Sequence, residues 1–139
     1  MPQMKFADVQ IGTAIGPEEI FISKDQTRAY AHANHLPAAR FTDDEGAKKE
    51  GLPGMILPGN MSLALLAKLV TDWIAGNPAK MVRLGTTYRV PVQPDRTLIL
   101  QGFITNTYPE TKQCEVDIWM ENEDAEKLVT GTATVEFSE

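Results

Sequence analysis

The chain of 139 residues holds one cysteine and two histidines, and both shortages remove explanations. Cys114 alone cannot close an intrachain disulfide, and it rules out a cysteine-based zinc site. With His32 and His35 as the whole imidazole supply, a histidine-rich metal centre is not expected; the reading includes no metal and no cofactor. Positive charge is short as well. Thirteen Lys and Arg face 19 Asp and Glu, giving a net charge of -6. That sign is wrong for a phosphate-backbone binder, so nucleic acid is not an expected partner. An anionic ligand would need a local basic patch or a helix N-terminus. Long apolar runs are missing too. The longest, 61–74, is too short to span a bilayer and is broken by Lys68 and Asp72. The opening Met1-Pro2-Gln3-Met4-Lys5-Phe6 lacks the apolar stretch of a signal peptide. A soluble cytoplasmic protein with no membrane partner is expected.

What is present suits an ordinary globular fold. Hydrophobic residues make up 42% and charged residues 23%, close to globular averages, which argues against a disordered chain. No repeat or linker divides the sequence, and 1–139 reads as one domain. The apolar spacing changes once, near Gly76-Asn77-Pro78, from mostly helical to mostly alternating.

Before that point, Ile20-Phe21-Ile22 is a short β-prone run. Ser23 and Gln26 then have capping-box spacing, which predicts a helix to about Asn34. Thr42 and Glu45 repeat that spacing and predict a short helix ended by Gly51. The longest helix is expected over 59–75. Met61, Leu65, Leu69 and Trp73 form one row, and Leu66, Val70 and Ile74 the next; Leu63, Ala64 and Ala67 widen the apolar surface almost all round. Such a helix should be buried on most sides.

After that point, four alternating runs predict strands. Their inward sets are Val82, Leu84, Thr86, Tyr88 and Val90; Leu98, Leu100, Gly102 and Ile104; Cys114, Val116, Ile118 and Met120; and Val129, Gly131, Ala133, Val135 and Phe137. Trp73, Trp119 and the methionines fall at core-periodic positions, and Cys114 reads as a core thiol rather than a nucleophile. Four long consecutive strands favour an antiparallel sheet. The expected class is therefore α+β, a hot-dog fold: a long antiparallel sheet wrapped round a central buried helix.

The order of elements, with Pro58-Gly59 at the start of the buried helix, resembles the MaoC-like dehydratases, the (R)-specific enoyl-CoA hydratase branch of the hot-dog superfamily. The resemblance spans about 20–137 and is most specific over 30–66. Members read Tyr-Ala-x-Ala-x-Gly-Asp-x-Asn-Pro-x-His-x-Asp, then Ile-x-His-Gly ahead of the central helix. Tyr30-Ala31-His32-Ala33 matches the opening, Asp43 and Ala47 the end, and Ile56-Leu57-Pro58-Gly59 the second motif, with Pro58 in place of His. The resemblance implies a hydro-lyase that adds water to an enoyl thioester, or removes it, by general acid–base chemistry. It also implies a thioester partner (coenzyme A or acyl carrier protein) and a homodimer or hot-dog heteromer.

The same register places Leu36 where the family has its catalytic Asp and Phe41 where it has its catalytic His. Neither has a proton to exchange. Gly59 matches the glycine whose amide polarises the thioester carbonyl, an oxyanion hole at a helix N-terminus. Its alternative role is simply to start a helix after Pro58. His35 is the ionisable group in this loop that could act as a proton shuttle, with Asn34 beside it; the alternative is a solvated loop histidine. Asn34, Pro58 and Asn60 are the candidate substrate contacts. Asp43 and Asp44 suit a helix N-terminus better than a paired-carboxylate site. Arg40, Lys48 and Lys49 form a local basic cluster that could meet phosphates or be merely solvated. Three functions stay open: a hydratase or dehydratase, active or altered; a non-catalytic acyl-binding subunit; and a hot-dog thioesterase, isomerase or cyclase. The absence of Asp and Glu from 59–69 counts against hydrolysis.

Overall fold

The computed structural model describes residues 3–139. Strand β1 (Ala14–Ile22) leads into helix α1 (Lys24–Ala33), then a 3-10 turn (Ala39–Phe41), the short helix α2 (Asp44–Lys49) and the long helix α3 (Gly59–Ile74). Four further strands follow: β2 (Ala79–Tyr88), β3 (Arg96–Tyr108), β4 (Gln113–Glu121) and β5 (Lys127–Phe137). All pair antiparallel in the order β1-β3-β4-β5-β2, which leaves β1 and β2 as the edges. Helix α3 packs against β1, β2, β3 and β4. This is the hot-dog arrangement. Among the described residues no helix is long and apolar enough to cross a membrane.

The core follows from the alternation in the last three strands. Leu98, Leu100 and Ile104, then Cys114, Val116, Ile118 and Met120, then Val129, Ala133, Val135 and Phe137 are buried against Leu66, Leu69, Val70 and Ile74 of α3. Each Val, Leu, Ile, Met and Phe among them contributes roughly 1.5–3 kcal/mol by leaving water, which makes this register hard to slip by one residue.

Several expectations need correction. The sheet has five strands, because β1 begins at Ala14 rather than near Ile20. Pairing to β3 carries it through Gly16-Pro17-Glu18-Glu19, with a register shift between Ile15 and Glu18. A shift between Met81 and Arg83 likewise breaks the alternation of β2. Met81 and Leu84 therefore pack on the core, while Val82 and Tyr88 are exposed. Val90 lies beyond the strand. Helix α3 is not buried on most sides within the chain: Asn60, Ala64, Lys68, Thr71 and Asp72 line an exposed face. Trp119 follows the outward-facing parity of β4, edge-on to Phe103 with Lys127 Nζ 4.2 Å above its ring.

The helix ends are partly as read. Ser23 and Gln26 form the capping box of α1. For α2 the N-cap is Asp43, not Thr42, because the Asp43 carboxylate accepts the Gly46 N–H at 2.9 Å. Gly51 follows the end of α2 with φ of +88°, a conformation that favours glycine.

Candidate functional site

Helix α3 starts without a side-chain cap, since Pro58 precedes it. The Pro58 carbonyl accepts the N–H groups of Met61 and Ser62, at 3.0 and 3.3 Å. A peptide unit is planar and trans, so the N–H of Gly59 points the opposite way, out of the helix end. No acceptor among the described residues takes the N–H of Gly59 or of Asn60. Two donors at the positive end of a 16-residue helix are thus free.

Gly59 borders a hollow of about 360 Å³. Gly59 and the buried Ser62 form its helical wall, and Ile56 and Leu57 line it from the preceding loop. That loop is fixed by Ile56 N–H to the Arg40 carbonyl at 2.9 Å and Leu57 N–H to the Val92 carbonyl at 2.7 Å. Phe41 and Arg40 line it from the 3-10 turn, and Tyr88 to Val92 from the end of β2 onward. The ionisable lining residues are Arg40, Tyr88 and Arg89; none is a carboxylate or an imidazole. Arg40 is engaged by Glu50 at 3.3 Å, and its guanidinium lies 5.5 Å from the Phe41 ring centre. The Tyr88 hydroxyl donates to the Gly59 carbonyl at 2.8 Å.

Of the residues singled out from sequence, the structure brings Gly59 and Phe41 together in this hollow. Leu36 is half-buried and outside its lining, and its N–H bonds the Ala31 carbonyl at 2.9 Å. His35 is exposed with φ of +54°, and its N–H bonds the His32 carbonyl at 3.2 Å. Those two bonds make a Schellman closure of α1, with His35 in the left-handed position. Asn34 caps the same helix end and donates its side-chain amide to the Tyr30 carbonyl at 2.9 Å. Pro58 is buried ahead of α3, and Asn60 is exposed on it; neither is in the lining. Lys48 and Lys49 are exposed, and Lys48 lies 3.6 Å from Glu45.

Reading the sequence missed Tyr88, Ser62 and the Arg89–Val92 wall. Tyr88 falls at an inward position of a β pattern, and only its contact with Gly59, 29 residues away, distinguishes it. A second hollow of about 420 Å³ is lined by Lys24, Lys48, Arg96, Asp44, Asp95 and Glu123. Its carboxylates are already used: Asp44 by Lys24 and the Met55 amide, Asp95 by the Lys24 amide, and Glu123 by the Thr97 amide. Among the described residues no three His, Cys, Asp or Glu side chains gather as a metal site.

The fold has many solved counterparts. An (R)-hydratase from A. caviae involved in PHA biosynthesis aligns with a TM-score of 0.83 and 14% identity, over 93% of this chain and 97% of that one. The ChsH1-ChsH2 complex from Mycobacterium tuberculosis gives a TM-score of 0.81 and 20% identity, over 92% and 98%. A protein described as a MaoC-like dehydratase gives 0.89 and 23% identity, over 98% of this chain but 43% of that one. No curated protein matches in sequence. The sequence model of the MaoC-like domain covers residues 7–127, and the chain belongs to that family, the hydratase/dehydratase type of hot-dog protein.

Proposed function

We propose that this chain binds an acyl thioester in the hollow at the start of α3, with the thioester carbonyl at the Gly59 amide, and that alone it hydrates enoyl thioesters poorly. The observation that carries this reading is the pairing of the free Gly59 N–H with a lining of Phe41, Ile56, Leu57, Val90 and Val92. Apolar walls suit an acyl chain, and preorganised N–H groups suit its carbonyl oxygen. Adding or removing water also needs a group that takes up and returns a proton. Arginine is protonated at every accessible pH, and the tyrosine hydroxyl in the lining already donates to a carbonyl. His35 is given the structural role of closing α1, and Pro58 that of directing the Gly59 N–H.

A companion chain is the second part of the reading. Strand β2 is an open edge carrying the exposed Val82 and Tyr88, and open edges invite pairing. A second hot-dog chain there, identical or different, would cover the Tyr88 side of the hollow, as in a homodimer or a heteromer with an active partner.

The deciding experiment mixes the purified protein with crotonyl-coenzyme A. Loss of the conjugated-enoyl absorbance reports hydration, and titration calorimetry reports binding. Binding with slow or absent hydration is expected. Brisk hydration would show that a proton-transfer group exists elsewhere, and no binding at all would refute the thioester assignment.

A further inference from the structure

We infer that the hollow lined by Arg40 and Arg89 selects an acyl thioester whose far end carries a carboxylate, with Arg89 as its main partner; the inference rests on the acyl-thioester reading above. The charge of the lining is the observation. Arg40 and Arg89 both border this hollow, and no Asp or Glu does, on a chain whose net charge is -6. Four other hollows among the described residues match their cations with acids. Lys127 lies with Asp117, Arg96 with Glu126, and Lys80 with Glu136. The hollow around Lys24 sets Lys24, Lys48 and Arg96 against Asp44, Asp95 and Glu123. The Arg40–Arg89 hollow departs from that balance, and an anionic group on the ligand would supply the missing charge.

Arg89 is the better placed of the two. Its backbone is fixed, because its N–H donates to the Leu128 carbonyl at 2.9 Å. Among the described residues Arg28 and Arg40 have carboxylate partners, and Arg89 has none. Glu50 meets Arg40 through Nε at 3.3 Å and offsets part of its charge, so Arg40 supports rather than leads. A guanidinium keeps its proton at every working pH, and its paired N–H groups match the spacing of a carboxylate. The phosphates of a carrier lie the whole length of a pantetheine arm from the thioester sulfur, on the side away from the acyl chain. An anion that shares this hollow with the acyl chain is therefore one attached to that chain. A hollow of about 360 Å³ suits a short acyl group of this kind.

Pentanoyl-coenzyme A and glutaryl-coenzyme A test this on the full chain. Both are saturated, so neither can be hydrated, and they differ by a terminal methyl against a terminal carboxylate. Titration calorimetry at low ionic strength should give about 10-fold higher affinity for glutaryl-coenzyme A, the scale of a charged hydrogen bond at a half-exposed site. Added salt should shrink that preference. Arg89→Gln should bring glutaryl-coenzyme A down to the affinity of pentanoyl-coenzyme A for the same variant. Arg89→Lys, which keeps the charge without the fork, should recover part of the difference. Equal affinities in the wild type overturn the inference and spare the thioester reading. Arg89→Gln that weakens both thioesters by the same factor places Arg89 on the carrier's phosphates and also overturns it. A preference untouched by Arg89→Gln does the same. Absence of binding by either thioester in the wild type overturns the thioester reading and the inference with it.

Discussion

Asp44 and Met55 are 11 residues apart, and the Asp44 carboxylate accepts the Met55 N–H at 2.9 Å. Its other oxygen meets Lys24 Nζ at 2.8 Å. One side chain therefore ties the start of α1 and the start of α2 to the loop that leads into α3. That loop supplies Ile56 and Leu57 to the candidate site.

Removing the tie should loosen the loop before it affects the core. In Asp44→Ala, hydrogen exchange at Met55 and Ile56 should accelerate at neutral pH, while amides of β4 keep their wild-type rates. The hydrogen bond from Lys24, then that from the Met55 amide, holds the Asp44 carboxyl below its ordinary value of 3.8. A lowered folded value means the tie contributes above pH 3.8 and fades as pH falls further. The hydrogen bond to Asp44 raises Lys24 above 10.5, so its contribution is complete below that pH and fades as pH rises further. Wild-type protection of Met55 should thus hold from about pH 4 to about pH 10 and drop at both ends. Protection that rises toward pH 3 would contradict the assignment.

Cys114 gives a second pH signature. It is fully buried among the strands, and burial pushes its thiol up to about 11 from 9.0. Its raised folded value favours the native state below pH 9.0, and that contribution is lost as pH rises through about 11. Native protein at pH 8 should react with a thiol reagent such as dithionitrobenzoate only after unfolding in denaturant. Stoichiometric labelling of folded protein within seconds would place the thiol elsewhere.

Gly59→Ala should displace the Tyr88 ring and crowd the hollow at the start of α3. The new methyl would sit 3.1 Å from Tyr88 Cζ, so the ring must swing outward and its bond to the Gly59 carbonyl lengthen. Gly59 is the first residue of α3, where the interior preference for alanine does not apply in full, so Tm should change little while thioester affinity falls. Calorimetry and thermal unfolding on the same sample check both halves. Combining Gly59→Ala with Tyr88→Ala frees the space and should lower affinity no further.

The sheet was legible where local pattern and tertiary burial agree. In β3, β4 and β5 the apolar residues at alternate positions, such as Leu98, Leu100, Ile104, Val116, Ile118, Val129 and Val135, are buried in one core with α3. Strand β1 was legible only at Ile20-Phe21-Ile22, because glycine and proline at 16 and 17 are poor strand formers and pairing to β3 is what carries the strand through them. The α2 cap was misread by one residue because Thr42 and Asp43 are both good caps, and backbone direction chooses Asp43. At the site, Gly59 and Phe41 were legible as motif positions. Tyr88 and Ser62 were not, since nothing in local sequence marks a contact that closes over 29 residues. His35 drew notice for its chemistry; the structure places it exposed, outside the lining of the hollow, with its backbone in the left-handed position at the end of α1.

The strongest test of the proposed function restores what the sequence lacks. Phe41 lines the hollow, so Phe41→His would bring an imidazole into the lining that Gly59 shares. Leu36 is half-buried in the segment between α1 and the 3-10 turn, where Leu36→Asp introduces the missing carboxylate with access to water. One aligned proton-transfer group contributes typically ~10²–10⁴-fold in rate. The double variant should therefore raise crotonyl-coenzyme A hydration by at least the low end of that range. Single variants should gain less, because a water needs both a base and a donor around it. The rate should depend on pH through the new imidazole, with the rise centred near its unperturbed pKa of about 6.5. Adding Gly59→Ala to the double variant should then cancel most of the gain, because the carbonyl donors and the water-activating pair act on the same substrate. A double variant that binds crotonyl-coenzyme A as wild type does, yet hydrates it no faster, would show that Leu36 and Phe41 do not occupy the dyad positions.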